Sequence, residues 1–425
     1  MSNPPILRFA VISDLHIGSK ARAAELCPLT LSDTLMASRD EKFLDAFQRF
    51  ASSENFLALG RIDALFVTGD ITNSGHANEH ARASEVMAFI AARLGIGADQ
   101  TFLVPGNHDV FWPVAKLEPR DFWRRYRYEP LHAKANHFIS STMAQGAAGQ
   151  FHDEPYAILR KQGALLVLGV NTAAHDGPDE PNVHHGSISA ETLSWIDENL
   201  AQFDDDSTLR RVCLVHHHPL QYENPTRNGK DFSALQNAEK LLSVLTKHRV
   251  EILVHGHRHV PQWTFRMDGN GGHPIGILGA GSFCAALENP WTGNVSNQFH
   301  VIECNTLTKA VGRGGRVFSW AYDSLNGWKP SSQDLGIHAV RRFGDRRSEC
   351  ELVSRIEQHL SSHCGKPVIR FSTLESTDAD LEYCDDELLV RACRRAAENL
   401  KLDFVGEVGG SNERKPWLFL EKAAT

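Results

Sequence analysis

Five short clusters of carboxylate, imidazole and amide side chains could do metal chemistry in this chain. They are Asp14-Leu15-His16, Gly69-Asp70, Gly106-Asn107-His108-Asp109, His216-His217-His218-Pro219 and Gly256-His257-Arg258-His259. Their donors are carboxylate oxygens, imidazole nitrogens and an amide oxygen, with no thiolate among them. That set suits Zn, Mn, Fe or Co and does not choose among them. Asp14 and His16 are two apart, as are His257 and His259. In an extended chain this spacing puts both side chains on one face, converging on one ion. A single Asp or His at a strand end is usually a turn or cap residue. It is the set that points to a metal site.

Such clusters converge only if the backbone brings them together. Each follows a short apolar run, at residues 7–12, 64–67, 101–104, 212–215 and 252–254, with a further run at 165–170. Short runs rich in Val, Ile, Leu and Phe, bounded by Gly, Pro, Asn or Asp, predict buried strands. Residues 78–94, 190–200 and 234–247 read as amphipathic helices, the first followed by Gly95 as a C-terminal cap. Strands alternating with helices predict an α/β core. In such sheets ligands gather at the carboxyl ends of strands, where all five clusters fall.

The chain has 425 residues, 42% hydrophobic and 23% charged, which suffices for a large core and two or three domains. A net charge of −8, from 44 basic and 52 acidic residues, argues against broad charge-driven binding to nucleic acid or anionic membrane. No apolar run approaches the ~20 residues of a membrane span, and the start MSNPPILRF lacks a secretory pattern. The eight Cys contain no C-x-x-C pair, so a reduced, cytoplasmic setting is expected. Residues 1–330 are expected to form one domain, interrupted at about 110–150 by an insertion containing DFWRRYRYEP. Residues 331–425 are expected to form a small C-terminal α/β region, with helices at 349–360 and 386–400 and short apolar runs at 367–371 and 417–420. Cys350, Cys364, Cys384 and Cys393 there lack metal-ligand spacing.

The ordered set D-x-H, G-D, G-N-H-D, H-x-P and G-H-x-H, across about residues 8 to 260, resembles the calcineurin-like metallophosphoesterases. The resemblance implies a four-layer αββα sandwich holding two divalent or transition-metal ions. Residue by residue, it implies Asp14, His16 and His259 on one ion, Asp70 bridging, and Asn107, His217 and His257 completing the second. The H-x-P form selects His217, with the neighbouring His216 left open as the alternative. The implied chemistry is phosphoric ester hydrolysis by a metal-bridging hydroxide. His108 would stabilise the added charge or protonate the leaving group, and Asp109 would orient its imidazole. GDITNSG, Val170-Asn171-Thr172, Gly186-Ser187-Ile188-Ser189 with Leu193 and Trp195, and GILGAGSFCAA followed by NQFHVIE are similar to the branch containing class III cyclic-nucleotide phosphodiesterases.

Asn73, His76 and His218 are the expected substrate contacts, with Lys20 and Arg22 adding positive charge at the rim. His255 reads as a packing residue, and His175, His184 and His185 as loop residues. Trp112, Trp123 or Tyr126 of the insertion could stack on a base, though packing onto the core explains them as well. The expected function is a phosphodiesterase acting on a small substrate, a cyclic nucleotide or a glycerophosphodiester. A nuclease of the same superfamily is the first alternative, supported by the aromatic-basic segment and opposed by the net charge. A non-catalytic binding module is the second, opposed by the intact donor set with His108 and Asp109. Residues 331–425 could cap the site or mediate self-association.

Overall fold

The computed structural model describes residues 6–28, 42–109, 148–150, 154–175, 185–222, 233–266, 274–287, 295–305, 314–344, 347–363, 366, 368–378, 381, 383–406 and 417–421. Strands β1 (Leu7–Ile12), β2 (Ala64–Val67) and β3 (Thr101–Leu103) pair in parallel. A second sheet takes β4 (Ala148–Gln150), β5 (Ala157–Gln162), β6 (Leu165–Val170), β7 (Arg210–Leu214), β8 (Ile252–His255), β9 (Pro261–Arg266) and β10 (Ile275–Ala280), in the order β4-β5-β6-β7-β8-β10-β9. The chain then returns to the first sheet with β11 (Gln298–Asn305), β12 (Gly314–Asp323), β13 (Gly327–Pro330) and β14 (Val340–Phe343). There β11 lies antiparallel to β1, and the order is β13-β12-β11-β1-β2-β3 with β14 on β12.

Alternation along the strands explains the layers. Leu165 and Val167 of β6, with Val212 and Leu214 of β7, face the first sheet and join one core with Phe9, Val11 and Phe66. Leu166, Leu168 and Cys213 face the other way, onto helices Ala190–Ala201 and Ala238–Lys247. On the far side, Phe47 and Phe50 of helix Phe43–Ala51 pack on Phe299 of β11. Helix Ala77–Leu94 adds Val86, Met87 and Ile90 to the same core. Helix, sheet, sheet and helix make the expected αββα sandwich.

The predicted strands appear within a few residues of their expected bounds. Helix Ala238–Lys247 starts later than expected because Asn237 sits in the left-handed region at φ 64° and cannot extend it. Helix Ala77–Leu94 is capped by His76 and closed by Gly95 at φ 70°. Helix Phe43–Ala51 and the hairpin of β12 and β13 were not anticipated.

A second core lies in the C-terminal part. Helices Glu349–Ser362, Phe371–Thr377 and Asp386–Asn399 pack through Ile356, Leu389 and Cys393 on β15 (Val368–Arg370), β16 (Leu402–Val405) and β17 (Leu418–Glu421). Arg342 of β14 meets Asp386 at 2.8 Å, tying this module to the first sheet.

Candidate metal centre

The carboxyl ends of β1, β2, β3, β7 and β8 open onto one place. Asp14, His16, Asp70 and His259 form one group of donors within 4.8 Å of one another, and Asp70, His216 and His257 form a second. In the first, His16 Nε2 lies 2.9 Å from His259 Nε2 and 3.6 Å from Asp70 Oδ2, with His259 Nε2 3.3 Å from Asp14 Oδ1. In the second, Asn107 Oδ1 lies 3.1 Å from His216 Nε2 and 3.0 Å from His257 Nδ1. His216 Nε2 is 3.3 Å from Asp70 Oδ2 and 3.2 Å from His257 Nδ1. Asp70 belongs to both groups.

The residues fit divalent cations on three observations. Two imidazole nitrogens at 2.9 Å can have at most one proton between them, so at least one lone pair faces the space they share with Asp14 and Asp70. Next, Asp14, His16, Asp70, His257 and His259 all have positive φ, from 47° to 73°. The extended backbone expected for the two-apart pairs is therefore incorrect: each donor is delivered by a left-handed turn, a cost that concentrates at functional sites. Finally, glycine lets backbone close around the carboxylates. A Cβ at Gly106 would lie 2.2 Å from Asp70 Oδ1, and one at Gly256 2.4 Å from Asp14 Oδ2.

Neighbouring groups hold the donors in place. Ser13 Oγ donates to Asp14 Oδ2 at 2.6 Å, and the His257 amide donates to Asp14 Oδ1 at 3.0 Å. The His108 amide donates to Asp70 Oδ1 at 2.7 Å. His216 Nδ1 donates to the Thr68 carbonyl at 2.7 Å, which turns Nε2 inward. Burial and His259 push the His16 imidazole well below its ordinary range. Burial with His217 and His216 does the same to His257. Burial would raise the Asp70 carboxyl, but His216 and His108 outweigh it and hold it well below the usual carboxylate range. Burial would lower His216, yet the Asp70 charge lifts it to about 9. His216 would have to give up its Nε2 proton to hold a cation there.

Three expectations need correction. Within the triple-His run it is His216, not His217, that joins Asp70, Asn107 and His257. His217 is turned away, its Nδ1 2.8 Å from Thr172 Oγ1 and its ring filling the space left by Gly186. The offset from the strand end would have identified His216: like Asp14 and His257, it stands two residues beyond its strand. Asp109 makes no hydrogen bond to the His108 imidazole. It is fully buried and accepts from the amides of Thr72 at 2.9 Å and Gly106 at 2.8 Å, fastening two loops together. His108, half-buried, instead donates through Nδ1 to the Asn73 carbonyl at 2.8 Å. His218, expected at the substrate, is fully buried, stacked on His257 and edge-on to Tyr222.

Asn73 is buried, with Nδ2 donating to Ser74 Oγ at 2.8 Å and Ser19 Oγ at 3.2 Å. His76 is exposed at the helix start. Arg22 is bound to Asn297 Oδ1 at 2.7 Å and lies over the Tyr322 ring, while Lys20 is exposed with its charge felt at His16. His255 is buried against Tyr222, as a packing residue would be. His185 and His175 contact the Ala234 carbonyl and Glu154. Trp112, Trp123, Tyr126 and His184 lie outside the described residues.

A model of the calcineurin-like phosphoesterase family matches residues 7–261, and the chain belongs to that family. Among curated relatives, a probable cyclic nucleotide phosphodiesterase of Rhodococcus erythropolis is 25% identical over 236 residues, 54% of this chain. That match spans 63% of the Rhodococcus protein, less than two thirds of its length. A 3',5'-cyclic-nucleotide phosphodiesterase of Nostoc sp. is 23% identical over 273 residues, 62% of this chain and 80% of that protein. These relatives carry the resemblance to the cyclic-nucleotide phosphodiesterase branch. Among solved structures, purple acid phosphatase PPD1 from yellow lupin seeds aligns with TM-score 0.45 and 14% identity, over 76% of this chain and 52% of that one. Among the described residues, no helix is long and apolar enough to cross a membrane.

Proposed function

We propose that this chain is a dinuclear metal-dependent phosphohydrolase, a phosphodiesterase acting on a small substrate such as a cyclic nucleotide. Asp70 carries the reading: one carboxylate common to two groups of inward-facing donors, with His108 beside it. We assign Asp14, His16 and His259 to one ion and Asn107, His216 and His257 to the other, with Asp70 shared. Such ions, when bound, lower the pKa of water and stabilise negative charge on a phosphoryl group.

The remaining work falls to side chains. Asp70 would offset the mutual repulsion of two cations and is itself steadied by the His108 amide. His108 Nδ1 donates to a carbonyl, a pure acceptor, so the proton it gains or loses sits on Nε2. From there it can donate to a phosphoryl oxygen or to the departing alkoxide. Asp109 keeps the Gly106 and Thr72 loops at a fixed separation, which sets where His108 stands. The net charge of −8 and the names of the relatives support a small substrate over a nucleic acid. We treat residues 349–421, which have their own core, as an accessory module.

Purified protein with Mn²⁺ is expected to hydrolyse bis(p-nitrophenyl) phosphate and cAMP, with no competition from single-stranded DNA. Competition by DNA and not cAMP would favour the nuclease. Two bound ions without turnover would favour a binding module. His108→Ala should keep both ions and slow turnover by about 10²–10⁴-fold.

A further inference from the structure

We propose that Glu79 is a positioning residue for His108, acting through the Ser74–Asn73 turn; this rests on the reading of His108 as a proton donor. Glu79 is the third residue of helix Ala77–Leu94, and only 2% exposed. Its Oε2 accepts from the His76 amide at 3.3 Å and from the Ser74 amide at 2.8 Å. Helix capping explains the first bond, since a Glu at this position reaches back to the capping residue. It explains neither the second, shorter bond nor the other oxygen, which lies against Gly18 so closely that a Cβ there would fall 2.4 Å away.

The path to the reacting atoms is short. The Ser74 amide held by Glu79 belongs to the peptide group whose carbonyl is that of Asn73, and that carbonyl fixes His108 Nδ1 at 2.8 Å. One rigid peptide plane therefore joins the Glu79 carboxylate to the His108 ring. The other oxygen packs against Gly18 in the loop of Asp14 and His16, and the Asn73 amide donates to the Ile17 carbonyl of that loop at 3.1 Å. Glu79 thus sets His108 relative to the first donor group. Burial pushes its carboxyl up while the Ser74 and His76 amides pull it back down, a desolvation that a cap alone does not require.

The test compares substrates whose leaving groups differ in their need for a proton. Glu79→Ala should lower kcat on cAMP by about 10–100-fold at unchanged KM, the cost of a small misplacement of a catalytic group. On bis(p-nitrophenyl) phosphate, whose leaving group departs unprotonated, kcat should fall far less. Glu79→Gln, which keeps an acceptor oxygen, should restore most of the loss, and metal content should not change. Equal losses on both substrates, or none on either, would overturn the proposal. A crystal structure of the metal-free variant probes the same link without relying on activity: the contact between His108 and Asn73 is expected to open, and its survival would refute the assignment even in a protein that hydrolyses nothing. Should Glu79→Ala not fold, Glu79→Asp, which withdraws the carboxylate from Ser74, should show the same substrate-dependent loss.

Discussion

Polar side chains are buried in both the metal centre and the C-terminal module, but they are partnered in opposite ways. Where the module meets the first sheet, charges meet their opposites: Arg342 of β14 with Asp386 at 2.8 Å, Arg341 of β14 with Asp385 at 3.0 Å and, just beyond that strand, Arg347 with Asp378 at 2.6 Å. In the centre, like meets like. His16 faces His259 at 2.9 Å and His216 faces His257 at 3.2 Å, while Asn107 offers its oxygen to both of the latter. The backbone differs as well. Five of the centre's donors adopt positive φ, whereas Lys401 alone does so among the described non-glycine residues of the module. A region that satisfies its own charges needs only to fold. One that gathers acceptors around a point, on strained turns, could be completed by cations from outside.

The contrast can be broken at its strongest point by Asp70→Ala. Both donor groups lose their common member, so metal content and phosphodiester hydrolysis should fall to background; two ions and normal turnover in that variant would defeat the assignment. Next in size is the comparison of His216→Ala with His217→Ala. The first should lose one ion of the pair and most activity, while the second should retain both ions, as read by elemental analysis. If His217→Ala is the variant that loses the ion, His216 is not the ligand.

Cutting the chain sharpens the comparison from the other side. Ending it after residue 330 removes β14, whose Val340 and Phe343 are buried in the main core. Roughly 3–6 kcal/mol should be lost in chemical denaturation. Ending it after residue 344 keeps β14 and should leave hydrolysis and most stability intact; equal damage from both cuts would show that the module supports the centre. The smallest effect concerns His300, which joins the sheets by pairing with the Ala280 carbonyl at 2.9 Å and Ser319 Oγ at 2.8 Å. Burial lowers its pKa from 6.5 to about 4, so between those values the unfolded chain binds the proton and the folded one does not. Stability should therefore fall as pH drops from 6.5 towards 4, by at most about 3 kcal/mol from this residue. His300→Gln should flatten that slope, and an unchanged slope would remove His300 as its source.

Most of the layered fold was legible because buried strands are short and apolar, and because the donors follow them in order. Helix Phe43–Ala51 escaped notice, its pattern lying beside the long polar stretch that precedes it. At the centre, residue types were readable but conformation was not: nothing in D-x-H or G-H-x-H announces left-handed turns. Between His216 and His217 the H-x-P form favoured His217 and left His216 open, because it counts distance to Pro219 instead of distance from β7, at whose end His216 meets Asp70 and His257. The buried position of His218 and the loop-fastening role of Asp109 depend on contacts between segments far apart in sequence, with Asp109 reaching Thr72 and His218 packed beneath His257. No local pattern encodes those.

Anomalous scattering from crystals of the Mn²⁺-loaded protein tests the dinuclear assignment most directly. Two peaks roughly 3.5–4 Å apart are expected, with Asp70 between them, Asp14, His16 and His259 around one, and Asn107, His216 and His257 around the other. A single peak, no peak, or a pair that leaves Asp70 unshared would contradict it.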